Sequence, residues 1–476
     1  MSIKKYYSTS DTTITNAYKD DLQTRATASN MGLSDSLETF VIYNQVSYSG
    51  SGATVVTGAQ TEAARILIKF DDTNIKSDYT AETVPSGASF FLRLHNAKHP
   101  LTLPKNYTLE VHPLSVAFNE GYGLDMESYV DEDEANWMSA SSGVSWTVSG
   151  AMSDVGAQLG TSTFTYGDED LLMDITQHVY NIRDSSITHN GFVVTFPTSS
   201  LTDERSYYTK KFFARDTQYY YKQPSIEARW DDSKSDDSGK LFKISSRLNN
   251  SDNNNTVFLY NRYNGALQHL GGNPAIAVKF FNDEDRTLEL SGSTVSGSVT
   301  ASSTGIYEAS VRVDTGYEHV YTRWYLSGSD QSTIYYENKL AVEPRDFSND
   351  YGEPEYVVAI PNLKSNYSND ESTRLRLHSR LKDWSPTIYT VASKEIENQI
   401  VTNAYYKVVR LVDDLDVISY GTGSVEYTKL SYDVSGSYFD FDLSLLEEGY
   451  AYGFKILFKI NGKYREQPET FKFRVD

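Results

Sequence analysis

The 476-residue chain contains no cysteine. A disulfide scaffold, a thiolate metal site and a cysteine nucleophile are therefore all excluded. Basic side chains are in deficit, with 43 Lys and Arg against 64 Asp and Glu, a formal charge of −21 and a pI near 4.8. Such a balance repels a phosphate backbone, so nucleic acid is not expected as a direct partner. Only Lys210, Lys211 and Arg215 form even a modest basic group. No segment approaches the roughly 18 consecutive apolar residues of a membrane span, so no membrane partner is expected. The opening stretch MSIKKYYSTSD also lacks the apolar region of an export signal, which predicts a protein made in the cytoplasm. Helical periodicity is scarce too. Its best candidate, Asp168 to Arg183, reads either as a helix or as a strand LLMDI feeding a single helical turn.

What the chain does have is length, rings and alternation. It is too long for one hydrophobic core and suggests about three domains. A hydrophobic content of 39% with 13% aromatics is enough to build those cores. Short alternating runs broken by Gly, Asn, Asp and Ser are the pattern of β-sandwiches. The stretch from Ser206 to Trp230 carries Tyr207, Tyr208, Phe212, Phe213, Tyr219, Tyr220 and Tyr221, too closely spaced for one helical face. It reads as a closing hairpin, with Pro224 at a strand start and Ile226, Ala228 and Trp230 alternating behind it.

The first domain is thus expected over 1–230, with strands at Leu37–Tyr43, Ala64–Phe70, Ala88–Asn96, Tyr107–Pro113, Leu171–Ile175 and Gly191–Phe196. A long insertion, Asn119 to Thr163, reads as a functional or interface-forming loop. The charged, apolar-free run 231–240 reads as a linker. Beyond it the sequence repeats itself loosely. Gly305-Ile306-Tyr307, Gly316-Tyr317 and a turn at Ser327-Gly328 are answered by Gly436-Ser437-Tyr438, Gly449-Tyr450 and a turn at Asn461-Gly462. Each copy ends in a last strand, Asn338–Val342 and Phe471–Val475. A Gly-Tyr before the penultimate strand resembles the tyrosine corner of immunoglobulin-like sandwiches. Two Ig-like domains, 241–345 and 346–476, joined near Glu343–Glu355, account for this half. The fold class expected is all-β, a multidomain series of β-sandwiches.

In the first domain an ordered set of short motifs stands out. These are Asp11-Thr12-Thr13-Ile14, Asn30-Met31-Gly32-Leu33, Ile68-Lys69-Phe70-Asp71 and Ala88 to Leu94, then Glu120-Gly121, Trp146-Thr147, Asp174-Ile175-Thr176, Phe213-Ala214-Arg215 and Gln223-Pro224. In this order they resemble the DNRLRE family of β-sandwich domains, found in secreted carbohydrate-associated proteins and phage structural proteins. The resemblance covers under half of the chain and implies a jelly-roll-type sandwich. Two positions depart from the pattern, Phe118 for the usual Trp and Gln223 for the usual Arg, which weakens transfer of any ligand site. With the Ig-like pair behind it, the architecture is similar to structural proteins of tailed bacteriophages. That resemblance implies a virion component, made without a signal peptide and released by lysis.

Candidate chemistry is thin. His95, His99 and His112 are a possible metal trio, but FFLRLHNAKHP reads as a strand, which would set the first two about 13 Å apart. Asp131 to Glu134, Asp283-Glu284-Asp285 and Asp413, Asp414 and Asp416 lack the central Gly of an EF-hand and read as solvated loops. No nucleophile elbow or phosphate-binding Gly-rich loop is present. No catalytic, cofactor or metal residues are assigned, and no cofactor is expected. The excess of tyrosine, 37 residues, points instead to core and interface, with Tyr207, Tyr208, Tyr219, Tyr220 and Tyr221 the candidates for subunit contact or glycan stacking. Together with that resemblance, the sequence predicts a non-enzymatic, surface-exposed phage virion protein, as capsid decoration, neck or collar, or tail appendage. Its expected partners are other virion proteins and further copies of itself. The alternative is a carbohydrate-binding adhesion module recognising host polysaccharide.

Overall fold

The computed structural model describes residues 2–43, 61–99, 104–126, 129–131, 133–201, 207–272, 274–290, 299–329, 331–344, 354–384, 388 and 398–476. The chain is all-β and multidomain, and divides into two compact units, Ser2–Trp230 and Asp231–Asp476.

The strands of the first unit are β1 (Ile3–Thr15), β2 (Ser36–Tyr43), β3 (Thr61–Phe70), β4 (Ser89–Leu94), β5 (Tyr107–Pro113), β6 (Ser139–Ser141), β7 (Val144–Ser145), β8 (Gly160–Phe164), β9 (Leu171–Asp174), β10 (Phe192–Thr195), β11 (Tyr207–Phe213) and β12 (Ser225–Arg229). Two short helices, α1 (Asp72–Thr80) and α2 (Thr176–Arg183), follow β3 and β9. The strands pair in the order β8-β5-β10-β3-β1-β12-β4-β9, with β2 on β3 and β11 on β2. β1 holds both layers. Its Ile3–Tyr7 half pairs with β12, and after a register shift between Ser8 and Ser10 the rest pairs with β3. Between the layers Ile66, Ile68 and Phe70 of β3 meet Phe90 and Leu92 of β4 and Ile226 and Ala228 of β12 in one core.

β3 is buried along almost its whole length, and alternation alone does not explain that. Its other face carries Ala63, Arg65 and Leu67, covered by the 119–163 insertion. There Ala135, Trp137, Ala140, Trp146 and Ala151, with Phe118 just before the insertion, build a second core against Ile14, Leu67 and Val193. The insertion, expected as a functional loop, is a folded third layer. It has its own hairpin, β6–β7, and its rings remove the outer face of β3 from water. Arg65 is accommodated there by the Gly150 carbonyl and by the Trp137 ring, 4.7 Å from the guanidinium.

One further expectation changes, and one left open is resolved. The Ser206–Trp230 hairpin does not form, because β11 pairs with β2 in one layer while β12 lies between β1 and β4 in the other. Tyr220–Lys222 is a 3₁₀ turn that carries the chain between layers. Asp168 to Arg183 resolves as β9 followed by α2, with Val179 and Ile182 buried. α1 was not legible, since Ile75 is its one buried residue; it starts where Asp71 accepts a bond from Thr73 N, 2.9 Å.

The second unit contains two sandwiches with one pairing scheme. The first uses β13 (Leu241–Phe242), β14 (Asn255–Tyr260), β15 (Arg262–Tyr263), β16 (Ala266–Leu267), β17 (Ile276–Phe281), β18 (Thr300–Ser303), β19 (Ile306–Val311), β20 (His319–Leu326) and β21 (Ile334–Glu343). The other uses β22 (Tyr356–Ala359), β23 (Asn366–Tyr367), β24 (Ser372–Leu381), β25 (Ala404–Arg410), β26 (Leu415–Ile418), β27 (Ser431–Asp433), β28 (Gly436–Asp442), β29 (Ala451–Ile460) and β30 (Lys463–Val475). One sheet of each runs β13-β21-β20-β17 and β23-β30-β29-β25-β26, and the first pair in both is parallel. The opposing sheets are β14-β19-β18 and β22-β24-β28-β27. A short early strand lying parallel to the last one, β13 beside β21 and β23 beside β30, is an immunoglobulin-like feature. The tyrosine corner falls two residues later than the Gly-Tyr pair suggests. Tyr452, fully buried, donates to Glu447 O at 2.8 Å, whereas Tyr450 is 36% exposed. The inward set of β29 is Tyr452, Phe454, Ile456 and Phe458, so only Tyr452 can combine a core ring with a hydroxyl at the loop.

The 231–240 run does more than span a gap. Tyr432 N donates to Lys234 O and Asp236 N to Tyr432 O, at 2.9 and 3.1 Å. Asp237 then accepts from Tyr432 OH at 3.0 Å with one oxygen and from Thr256 N at 2.8 Å with the other. One carboxylate ties the two Ig-like sandwiches together. The junction expected near Glu343–Glu355 lies largely outside the described residues.

Candidate functional site

The five tyrosines singled out from the sequence separate into different environments. Tyr208 stacks on Phe196 at 5.8 Å and lies 5.9 Å from Tyr107, so it lines the core. Tyr221 is buried. Tyr207 belongs to β11, opposite Ile42, and its side chain lies outside the described residues. Tyr219 and Tyr220 remain, 42% and 36% exposed. Tyr219 meets Phe213 edge-on at 5.4 Å and Tyr220 tilts against Tyr7 at 5.2 Å. The Lys222 ammonium sits 4.8 and 4.9 Å from the Phe213 and Tyr219 rings. The result is an exposed aromatic ledge with one cation. Rings of this kind anchor a protein partner or stack on a sugar.

Five residues of the ordered motifs, Asp11, Asn30, Glu120, Arg215 and Gln223, far apart in sequence, meet in one polar network. Asp11, 1% exposed, accepts from Arg215 N at 2.8 Å and Ser8 Oγ at 3.3 Å. Burial pushes its carboxyl up to about 7 despite those donors. Glu120 accepts from Asp11 N at 2.7 Å and takes the Arg215 guanidinium on both oxygens, at 3.1 and 2.9 Å. Asn30 donates to Glu120 O and Ala135 O, both 2.8 Å, and accepts from Gly32 N and Gly123 N at 2.9 and 2.8 Å. A Cβ on Gly123 would fall 1.9 Å from Asn30 O, so the loop can close only on glycine. Gln223, one of the two departures, donates to Arg215 O at 2.9 Å. Trp146 donates to Asn136 O and Thr147 is held by Asp154. The oxygens of this network face backbone amides and Arg215; the arrangement fastens β1, the third layer and the β11–β12 connection.

A second charged cluster lies on the outer face of the β1-β12-β4 layer. Glu227, 1% exposed, is approached by Arg229 Nε at 3.0 Å, Lys5 Nζ at 3.5 Å and Arg93 Nη1 at 3.9 Å. Burial alone would push its carboxyl up, but the cations Lys5, Arg93 and Arg229 outweigh it and hold it down at about 2. Sequence reasoning missed it, because a charge alternating with Ile226 and Ala228 reads as a solvated face.

The histidines do not converge. His95 pairs with Asp170 at 3.0 Å, His99 with Glu38 at 3.7 Å and His112 with Glu110 at 3.3 Å. Among the described residues no three His, Asp or Glu side chains could hold a metal ion. Asp131, Asp133, Asp283 and Asp413 cap turns or pair locally, and Glu132 lies outside the described residues. A cleft of about 380 Å³ in the second unit is lined by Asp236, Tyr260, Thr322, Trp324, Tyr336 and Asp433, among others. Among the described residues no helix is long and apolar enough to cross a membrane.

No family model matches the chain, and no curated protein matches it either. Among solved structures it is similar to the Yersinia pseudotuberculosis adhesin InvE, with 14% identity over 49% of this chain and 56% of that one, at a TM-score of 0.16. The chain thus spans little more than half of InvE. The tandem Ig repeats of Dlar match at 7% identity over 51% of this chain and 94% of theirs, TM-score 0.16. The human desmocollin-1 ectodomain matches at 13% identity over 52% and 39%, TM-score 0.14. At such scores these likenesses carry no argument.

Proposed function

We propose that this chain is a non-enzymatic structural component of a tailed-phage virion, exposed on the particle in several copies and acting through protein–protein assembly. The observation that supports this reading most is the network of Asp11, Asn30, Glu120 and Arg215. Those four belong to the ordered motifs that resemble phage and carbohydrate-associated sandwiches, and their polar atoms are spent on closing loops. The acidic surface favours an exposed location over a DNA-facing one. Mass spectrometry of particles purified and washed in high salt tests the reading: the polypeptide should remain with the particle, and its loss in the wash would sink the proposal.

A second reading, adhesion to host polysaccharide, draws on the Tyr219–Tyr220 ledge with Tyr7, Phe213 and Lys222. A glycan array probed with the full chain and with a Tyr219→Ala, Tyr220→Ala double variant separates the two. Binding that disappears in the double variant supports adhesion, and no binding to any glycan removes it.

A further inference from the structure

Lys210 is an unusual place to find an ammonium. It lies on β11 at 1% exposure, with the Phe164 and Phe212 rings 4.7 and 5.2 Å from Nζ. Three oxygens surround Nζ: Asn96 Oδ1 at 2.7 Å, Gly167 O at 2.9 Å and Glu169 O at 2.7 Å. Two of these are fixed backbone carbonyls and the third is a side-chain amide, a group that an amine can attack.

The backbone around this pair is held on both sides. Phe213 N donates to His95 O and Ala97 N to Lys211 O, both at 3.0 Å, so residues 95–97 are stitched to the strand that carries Lys210. Asp170 fixes the same turn, accepting from Asn96 N at 2.8 Å and pairing with His95 Nδ1 at 3.0 Å. Amine and amide are therefore presented to each other by main chain hydrogen-bonded on both sides. Such placement is the main source of rate in intramolecular reactions.

We infer that Lys210 and Asn96 form an intramolecular amide cross-link, joining the end of β4 in one layer to β11 in the other.

The chemistry balances without a co-reactant. Neutral Nζ forms a bond to Asn96 Cγ. One of its two hydrogens passes to Nδ2, the Cγ–Nδ2 bond breaks, and the amide nitrogen leaves as ammonia. Desolvation brings the Lys210 ammonium down to about 8, against the opposing pull of Glu169, Asp170 and Asp168, so the neutral amine is accessible near neutral pH. Once a proton is lost, the Gly167 and Glu169 carbonyls can hold the two remaining hydrogens, which turns the freed lone pair toward Asn96. The half-buried position of Asn96 gives ammonia a way out. The bond would close a loop between positions separated by 114 residues, which fits a particle component that must resist unfolding.

The test is an intact-mass measurement on the purified, denatured full chain, followed by tryptic mapping. The expected mass is lower than the sequence mass by one ammonia, with a branched peptide linking the Asn96 and Lys210 segments and no cleavage after Lys210. Lys210→Arg keeps a cation in place, Asn96→Ala removes the electrophile, and each should restore the full mass and abolish the branched peptide. Should either variant fail to fold, the wild-type chain alone decides. The sequence mass persisting after prolonged incubation overturns the inference, and so does an ammonia loss without the branched peptide, which would mark a backbone succinimide.

Discussion

The two units differ in where their most fully buried charges lie. In the first, Glu227, Asp11 and Lys210 are all within 1% of full burial and are met by several partners each. In the second, the most regular ion pairs lie on the outside of sheets, such as Arg374 with Asp440 at 2.7 Å and Arg376 with Asp433 at 2.7 Å. Arg374 and Asp440 are direct cross-strand neighbours in the β24–β28 ladder, whereas Arg376, opposite Tyr438, reaches across β28 to Asp433 on β27. A cross-strand pair reinforces a register that the sheet has already chosen. A buried cluster chooses for itself, because its members have no acceptable alternative in any other arrangement. The first unit, with its crossing strand and third layer, has more alternatives to exclude than two small sandwiches of known pairing.

Substitutions should sort along this contrast. Glu227→Ala leaves Lys5, Arg93 and Arg229 facing one another without their anion, and should cost about 3–5 kcal/mol. Calorimetry would show it as a large fall in the first unit's unfolding temperature. Asn30→Ala strips the loop of four hydrogen bonds and should cost about 3 kcal/mol, read the same way. Asp237→Ala should cost about 1–2 kcal/mol in the second unit and widen the relative motion of its two sandwiches, measurable by small-angle scattering. Arg374→Ala should cost less than about 1 kcal/mol. An equal penalty for Arg374→Ala and Glu227→Ala would end the distinction.

Acid should expose a further difference. His178 and His189 lie with ring centroids 6.5 Å apart against Phe192. Burial lowers both, with His189 brought to about 4 by burial and then by His178. Because the folded values lie below the unfolded one, the unfolded chain binds more protons in acid. The first unit should therefore weaken as pH falls from about 6.5 toward 4. His189→Phe should flatten that slope, measured as unfolding temperature against pH; an unchanged slope would place the effect elsewhere.

Much of the strand inventory was legible. ARILIKF and GFVVTF name themselves by β-branched and aromatic content, and the Ig-like repeat shows in two glycine-initiated runs. What was hidden was partnership. Tyr207 to Phe213 and Ser225 to Arg229 are neighbours in sequence, and nothing local says that each belongs to a different layer. The third layer was hidden by its Ser and Gly content, although Trp137 and Trp146 in an otherwise polar insertion were a clue to a second core. The polar staple was half visible. Asp11, Asn30, Glu120 and Arg215 could be picked out by their order, but only folding shows that they touch. Lys210 stood out only as part of a modest basic group with Lys211 and Arg215 inside an aromatic-rich stretch, which gives no hint of its burial.

The first and last strands of the leading sandwich lie side by side, with Ile3 opposite Arg229. The polypeptide therefore comes in and goes out at the same place, like a loop of thread with both ends in one hand. Tension drawn between those ends would peel the β1–β12 ladder rung by rung, beginning at that pair. The same adjacency makes the module portable, since a lobe whose two attachment points nearly coincide can be grafted into a surface turn of another host without stretching it.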